Sequence, residues 1–225
     1  MKYLKTILAA IVLTATCLHA QAQDDQQRFK RTPVTEMTAE QKKYFDALMA
    51  GPVSGTGSAG VVQGATSLGA PFNVYLRSPV LAERLREVGE YLRFKSSIPA
   101  RLNEFAILIT ARQWMAQYEW FAHHRLALKA GLSPDVAADL ALGKRPANMK
   151  PDEEAVYNFC QEMHTKHEVS DATYQAVLDL FGEQGIVDLI AVSGYYVMVS
   201  MILNVNRTPL PAGNSLPLQP LTQSK

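Results

Sequence analysis

Residues 104–132 read EFAILITARQWMAQYEWFAHHRLALKAGL and combine helix-forming apolar residues with many polar ones. The stretch carries two glutamates, two arginines, two tryptophans, a tyrosine and two adjacent histidines. A helix that only fills a hydrophobic core needs fewer polar side chains, because each buried polar group must find a hydrogen-bond partner. The composition of this stretch therefore predicts a functional site.

The spacing of acids and histidine in this stretch predicts a break in the helix. Glu119 and His123 are four residues apart, so they share one helix face and can touch. Glu104 precedes His123 by nineteen residues, which corresponds to about 28 Å along an unbroken helix. Glu104 can meet His123 only if the segment bends, splits into two helices or meets a second copy. A break near residues 114–117 would be enough.

These residue types indicate proton transfer. A carboxylate beside an imidazole can hold and move a proton, and Arg112, seven residues before Glu119 on the same face of a regular helix, could bind an anionic ligand. The alternative is a salt-bridged helix face at a subunit contact, because ion-pair networks are common without catalysis. His124 points about 100° away from His123 and is not expected to serve the same site.

Local start and stop signals divide the rest of the chain into helices. Thr38 and Gln41 match a capping box, and Ser78-Pro79 places a proline in a first helical turn. A later helix is predicted to close near Gly182. We find no alternating strand pattern and no internal repeat. The sequence predicts an all-α domain of about seven helices over residues 38–206.

The remaining segments are interpreted from composition. Residues 23–37 are polar and predicted as a flexible arm, residues 51–71 as a long glycine-rich loop, and residues 207–225 as an extended proline-rich tail. Residues 186–203 form the most apolar run after the N-terminus and are long enough to span a membrane. Asp188 lies inside that run, so we expect a buried helix or a subunit contact instead.

The N-terminal residues 1–22 have the layout of a secretory signal peptide, with a basic start, a short apolar run and a small-residue cleavage site. A lipid anchor through Cys17 is the alternative. We expect an exported protein, periplasmic or secreted, without a membrane span after cleavage. Removing Lys2 and Lys5 changes the formal net charge from +1 to −1, so no basic excess favours nucleic acid as a partner.

One group of possible metal ligands lies on another predicted helix. Cys160, His164 and His167 are spaced i, i+4 and i+7, and their chemistry suits zinc. The alternative is a surface helix with two solvated histidines and a buried cysteine, and we favour it because no second ligand cluster occurs. No P-loop or Gly-x-Ser-x-Gly motif is present. We therefore predict neither a metal nor another cofactor.

Several motifs together resemble the carboxymuconolactone decarboxylase family, which shares its all-helical fold with the alkylhydroperoxidase D-like proteins. The resemblance covers about residues 36–212, and its central block is the most specific part. The matching motifs are Gly69-Ala70-Pro71-Phe72, Leu76-Arg77-Ser78-Pro79, Glu104, Ala111-Arg112, Tyr118-Glu119-Trp120, His123, Ala130-Gly131-Leu132, Val169-Ser170-Asp171-Ala172-Thr173, Gly194-Tyr195-Tyr196 and Leu203-Asn204.

The chain departs from the redox members of this superfamily. Those members carry a Cys-x-x-Cys pair between a glutamate and a histidine. At the matching positions this sequence has Ala116 and Glu119, while Glu104 and His123 stay in register. A dithiol peroxidase needs an attacking and a resolving thiol. A peroxidase of the peroxiredoxin type is therefore only the third alternative, dependent on Cys160.

The resemblance implies cofactor-free acid–base chemistry, a decarboxylation or lyase reaction on a small carboxylated lactone or related organic acid. It implies His123 as proton donor, Glu119 as the partner that orients it, and Glu104 as a second acid or orienting group. Arg112 would then anchor a carboxylate. Three aromatic side chains would form pocket walls, although core packing explains them nearly as well; these are Trp114, Tyr118 and Trp120.

The resemblance also implies self-association to a trimer or hexamer. The apolar run 186–203 and the extended tail suit such packing, since a tail can lie across a neighbouring subunit. A non-catalytic binding or structural oligomer on the same fold is the alternative to an enzyme. An enzyme should bury Glu119 and His123 beside a cavity, whereas a structural protein should pair them with a neighbouring chain.

Overall fold

The computed structural model describes residues 27–56, 58 and 60–220, and this part of the chain is α-helical without a β-strand. The predicted all-α fold is confirmed. Two 3₁₀ helices, Val34–Glu36 and Pro52–Thr56, accompany eight α-helices among these residues. The α-helices are α1 (Ala39–Ala50), α2 (Phe72–Tyr75), α3 (Pro79–Phe94), α4 (Ala100–Gln113), α5 (Gln117–Lys129), α6 (Pro134–Ala141), α7 (Pro151–Lys166) and α8 (Asp171–Asn206).

Helix α4 is the centre of the molecule and packs against α5, α7 and α8. Its residues from Phe105 to Ala111 are fully buried, as a helix surrounded by other helices requires. A second, smaller core joins α1 to α2 and α3 through Tyr44, Leu48 and Leu76. The predicted capping box is present at the start of α1, where Thr38 accepts a hydrogen bond from the Gln41 amide and Gln41 accepts one from the Thr38 amide.

The predicted break within residues 104–132 is confirmed. Helix α4 ends at Gln113 and α5 begins at Gln117, and the intervening Met115 has a left-handed backbone with φ of 49°. A non-glycine residue rarely adopts that conformation, and here it reverses the chain direction between two helices. As a result α5 packs back along α4.

Helix α8 contains a break at Gly182, whose φ of 66° and ψ of −176° are not helical. This confirms the helix end predicted near Gly182. The whole of α8 has the length and hydropathy of a helix that could cross a membrane, and half of its most apolar window is buried within the protein. Asp188 is buried in this helix and accepts hydrogen bonds from the backbone and hydroxyl groups of Ser97, both at 2.7 Å.

Both ends of the described chain pack against the helices. The amides of Arg28 and Phe29 donate to the backbone and side-chain oxygens of Asn206 at 3.1 and 3.0 Å. In the proline-rich tail, Leu218 is buried and exchanges two hydrogen bonds with the Gln117 side chain. The tail therefore lies across the break between α4 and α5. The predicted signal peptide, residues 1–22 with Cys17, falls outside the described residues.

Candidate active site

A carboxylate and an imidazole form the centre of the site. His123 on α5 lies against Glu104 on α4, with 2.7 Å between His123 Nδ1 and Glu104 Oε2. The exposed fractions of the two side chains are 8% and 12%. Because a carboxylate oxygen accepts a hydrogen bond from Nδ1–H, Glu104 orients the ring, and Nε2 is the nitrogen left on the side of Glu119. The reversal of the chain between α4 and α5 brings this pair together.

Glu119 lies on the other side of the imidazole ring. Its Oε1 is 3.2 Å from His123 Nε2, within ion-pair distance, but Oε1 has no hydrogen-bond partner. Burial raises the pKa of the Glu119 carboxyl, and Glu104 raises it further, while His123 and Arg93 lower it. The net direction is upward. Glu119 therefore keeps its proton at a higher pH than an ordinary glutamate and suits proton donation.

A cavity of about 70 Å³ lies beside His123 and Glu119. Residues of α1, α2, α3, α5 and α8 line it, among them Tyr75, Arg93 and Tyr196. A second cavity of about 290 Å³ adjoins the first and shares Arg93 and His123 with it. Phe121, Leu126 and Pro211 give the larger cavity apolar walls; it has no aspartate or glutamate in its lining. The histidine thus lies between the smaller cavity and the larger one.

Unpartnered polar atoms converge on the small cavity. Among the described residues, six buried side-chain atoms lack a hydrogen-bond partner, and three of them belong to residues that line it: Tyr75 Oη, Arg93 Nε and Glu119 Oε1. Buried polar atoms are nearly always paired, because an unpaired one costs about 1–3 kcal/mol. Three such atoms around one cavity indicate a polar ligand or ordered water.

Buried phenols complete the wall. The Tyr196 ring packs edge-on against the His123 ring, with 5.0 Å between their centroids. The Tyr195 hydroxyl donates to the Leu85 carbonyl at 3.1 Å, and burial raises the pKa of Tyr195 to about 12. A Cβ atom at Gly89 would lie 2.5 Å from that hydroxyl, so glycine is required for the contact. These phenols remain protonated at neutral pH and act only as neutral groups.

The structure brings Glu104, Glu119, His123 and Tyr118 together but separates the other predicted residues from them. Arg112 does not line the cavity; its Nη1 donates to the Gln219 carbonyl of the tail at 2.8 Å. The other two, Trp114 and Trp120, also lie elsewhere: the Trp114 carbonyl accepts from Asn204, and the Trp120 ring is buried and stacks on His124. The spacing argument for Arg112 assumed a regular helix up to Glu119, and the left-handed Met115 ends that periodicity.

The three possible zinc ligands of α7 lie in different environments and do not come together. The Cys160 thiol is fully buried, 3.7 Å from Ser193 Oγ, and burial raises its pKa to about 12. His164 Nε2 is 3.1 Å from Thr110 Oγ1, whereas His167 is exposed at the end of the helix. No group of three or more metal-ligand side chains occurs in the described part of the chain. A thiol with so high a pKa is a poor nucleophile at neutral pH, which gives the peroxidase alternative no support.

The glycine-rich loop contains GTGSAG at residues 55–60, which matches the spacing of a dinucleotide-binding fingerprint. That fingerprint works where a strand leads into a helix, because the helix N-terminus then faces the pyrophosphate. The described residues contain no strand, and the 3₁₀ helix Pro52–Thr56 precedes the motif's later glycines. The spacing alone therefore does not make a dinucleotide site.

Sequence reasoning missed Arg93, Tyr75 and the two tyrosines of α8. Arg93 lies on α3, outside residues 104–132, and a solvated helix face explains such an arginine equally well. One signal was available: Gly89 interrupts a helical pattern, and a glycine inside a helix often marks a close approach. Here the approaching group is Tyr195.

The fold and the site define an all-α protein with a largely buried carboxylate–imidazole pair beside a small cavity. Comparison with known protein families, with curated proteins and with solved structures finds no match to this chain. Its function therefore has to be argued from the site itself.

Proposed function

We propose that this protein is an acid–base enzyme that acts without a cofactor on a small organic acid. The observation that carries the proposal is the largely buried Glu104–His123 pair beside a cavity lined by residues with three unpartnered polar atoms. A structural histidine has both ring nitrogens engaged by the protein. Here one nitrogen is held at 2.7 Å by Glu104, and the other makes no hydrogen bond of good geometry.

The geometry favours an exchange of the roles expected for the two glutamates. Glu104 makes the hydrogen bond that orients His123, so it is the positioning residue. Glu119 lines the cavity with an unpartnered oxygen and a raised pKa, which suits a group that gives a proton to the ligand. His123 then moves a proton through Nε2, and the two groups together supply an acid and a base.

Arg93 replaces Arg112 as the proposed carboxylate anchor. It lines both cavities, its Nε is buried without a hydrogen-bond partner, and no described carboxylate lies within ion-pair distance of it. A guanidinium group in this setting favours an anionic ligand, because a carboxylate would supply both the missing charge and the missing acceptor. Arg112 is instead held by the tail.

The family resemblance supports a specific reaction class, decarboxylation or a related lyase reaction on a carboxylated lactone. When carbon dioxide leaves a carbon next to a carbonyl group, the electron pair moves onto the carbonyl oxygen, and a proton is then added at carbon. Such a site needs an anchor for the carboxylate, a donor to the oxyanion and a proton donor. Arg93, Glu119 and His123 offer these three functions.

The test is a thermal-shift and turnover screen with small carboxylated lactones and aromatic acids. In a ligand that is turned over, His123→Ala should lower the rate roughly 100- to 10,000-fold, the usual contribution of a positioned acid or base. His124→Ala is the matched control, because that ring stacks on Trp120 and does not line the cavity. Equal turnover in wild type and His123→Ala would refute the assignment.

Arg93→Met and Arg112→Met separate the two candidate anchors. The first variant should abolish the thermal shift caused by carboxylate ligands, and the second should keep it despite lower overall stability, because Arg112 serves the tail. The opposite result would restore Arg112 as the anchor.

A second candidate is a binding or structural oligomer, favoured by the exposed apolar side chains of α3 and α8. The two candidates are compatible, since self-association through those faces leaves His123 buried within one subunit.

A further inference from the structure

Two of the unpartnered atoms, Tyr75 Oη and Glu119 Oε1, belong to residues of different helices that line the small cavity. Tyr75 lies on α2 and Glu119 on α5, and their exposed fractions are 6% and 3%. Both residues line the same space of about 70 Å³, so one small ligand atom has room to meet both. The Tyr75 hydroxyl lies close to the Tyr195 oxygen, but their geometry falls short of a hydrogen bond, and Tyr195 uses its own hydrogen on the Leu85 carbonyl.

We propose that the Tyr75 hydroxyl and the Glu119 carboxyl form a two-donor site for a ligand oxyanion, which lets the protein enolise small carbonyl compounds as well as decarboxylate acids. The inference rests on the proposed function, because His123 is the base that it requires. A phenol and a neutral carboxylic acid that both donate to one oxygen stabilise the negative charge of an enolate.

The balanced step follows from the positions of the groups. His123 Nε2 takes the proton from the carbon next to the carbonyl group, and the C–H electron pair becomes a carbon–carbon double bond. The carbonyl π electrons move to oxygen, which receives hydrogen bonds from Tyr75 and Glu119. Return of the proton from His123 to carbon completes the exchange, so the reaction needs no oxidant, reductant or second substrate.

The other phenols of the cavity do not fit this role equally well. Tyr195 uses its hydrogen on the Leu85 carbonyl. Tyr196 places its ring edge against His123 and so shapes the wall beside the base. Tyr75 is the phenol whose hydroxyl is buried without a partner, and a ligand oxygen would satisfy it.

The experiment uses 4-nitrophenol as a probe, because its phenolate resembles an enolate oxygen and absorbs visible light. The wild-type protein should bind the phenolate form, with the ring against Phe121 and Leu126 of the adjoining cavity. Tyr75→Phe should weaken binding about tenfold, the usual effect of losing one hydrogen bond to a charged group. Tyr157→Phe is the matched control and should retain the affinity, because Tyr157 packs on Phe105 and lines neither cavity.

Melting temperature gives a second readout that a structural role would not produce. Because the Tyr75 hydroxyl is buried without a partner, Tyr75→Phe should melt at an equal or higher temperature while losing the probe. Unchanged phenolate binding by Tyr75→Phe, or binding of the neutral phenol by wild type, would overturn the two-donor site. Neither result changes the expected difference in turnover between wild type and His123→Ala. A failure of the two-donor site can therefore be distinguished from a failure of the proposed function.

Deuterium exchange next to the carbonyl group of a small keto acid extends the test to catalysis. Wild type should exchange the proton. Tyr75→Phe should exchange it roughly 100- to 1,000-fold more slowly, as for the loss of one oxyanion donor. Exchange that is insensitive to Tyr75→Phe would overturn the proposal.

Discussion

At the scale of single residues, Glu119 is the group whose charge state matters most. Its carboxyl is buried next to His123 and Arg93, which lower its pKa, and near Glu104, which raises it. Burial prevails, so the pKa of Glu119 lies above the ordinary value of 4.5. A group of this kind stabilises the folded protein while it is protonated, and that advantage is complete below pH 4.5 and lost as pH rises through the folded-state pKa.

Glu119→Gln should therefore gain stability relative to wild type as pH rises from about 4.5 towards neutral. The glutamine has the same shape but cannot ionise in the buried site. Urea unfolding at a series of pH values measures the difference in free energy of unfolding. A difference that does not change over this pH range would contradict the raised pKa.

Glu162→Gln is a control of opposite sign. Hydrogen bonds from Ser170, together with Lys166, lower the pKa of Glu162 to about 2. Its contribution is present above the ordinary value of 4.5 and is lost as pH falls through the folded-state pKa. The substitution should thus destabilise the protein at neutral pH, and this effect should disappear in acid.

Some of the site residues could be predicted from the sequence, and others could not. Helical spacing placed Glu119 next to His123, and a distance argument joined Glu104 to His123, because both relations depend on local geometry. The position of Arg112 could not be predicted in the same way. Helical periodicity does not continue through a left-handed residue such as Met115. The position of Arg93 at the cavity depends on how α3 packs against the other helices.

At the scale of elements, the breaks between helices determine the site. The capping box at Thr38 and the helix end at Gly182 have local signals, and both were predicted. What the sequence did not contain was the direction in which each helix leaves a break. That direction follows from backbone angles such as those of Met115, which are fixed by packing on both sides.

Gly182→Ala tests one of these breaks. The φ of 66° and ψ of −176° at this position are almost restricted to glycine, so alanine should destabilise the protein by roughly 1–3 kcal/mol. No atom lies within 4 Å of a Cβ added there, which leaves backbone strain as the cause. Thermal or urea unfolding measures the effect.

Gly194→Ala is the matched control on the same helix. A Cβ atom at Gly194 also meets nothing within 4 Å, but the backbone there is helical. Alanine should therefore stabilise the protein by up to about 1 kcal/mol. If both alanines shifted stability in the same direction, the break at Gly182 would be in error.

At the scale of the whole molecule, α8 presents an unusual outer face. Val187, Ile190, Met201 and Val205 are between 42% and 64% exposed. At 100° per residue they fall within about 60° of one another on the helix surface. A helix surrounded by lipid is apolar on all sides, whereas the opposite face of α8 is buried in this protein and Asp188 is bound to Ser97. A narrow apolar stripe of this kind suits a contact with a second copy.

We therefore expect self-association in solution, held together in part by this stripe, and the family resemblance suggests a trimer or hexamer. Light scattering at micromolar concentration should give a multiple of the subunit mass, and Val187→Glu combined with Met201→Glu should reduce it to the monomer, since buried unpaired charge opposes association. Leu142→Glu is the control, because Leu142 is 56% exposed at the end of α6, off the stripe. A monomeric wild type would remove the oligomer from the proposal. An oligomer unaffected by the double substitution would place the contact on another surface, such as the exposed side of α3.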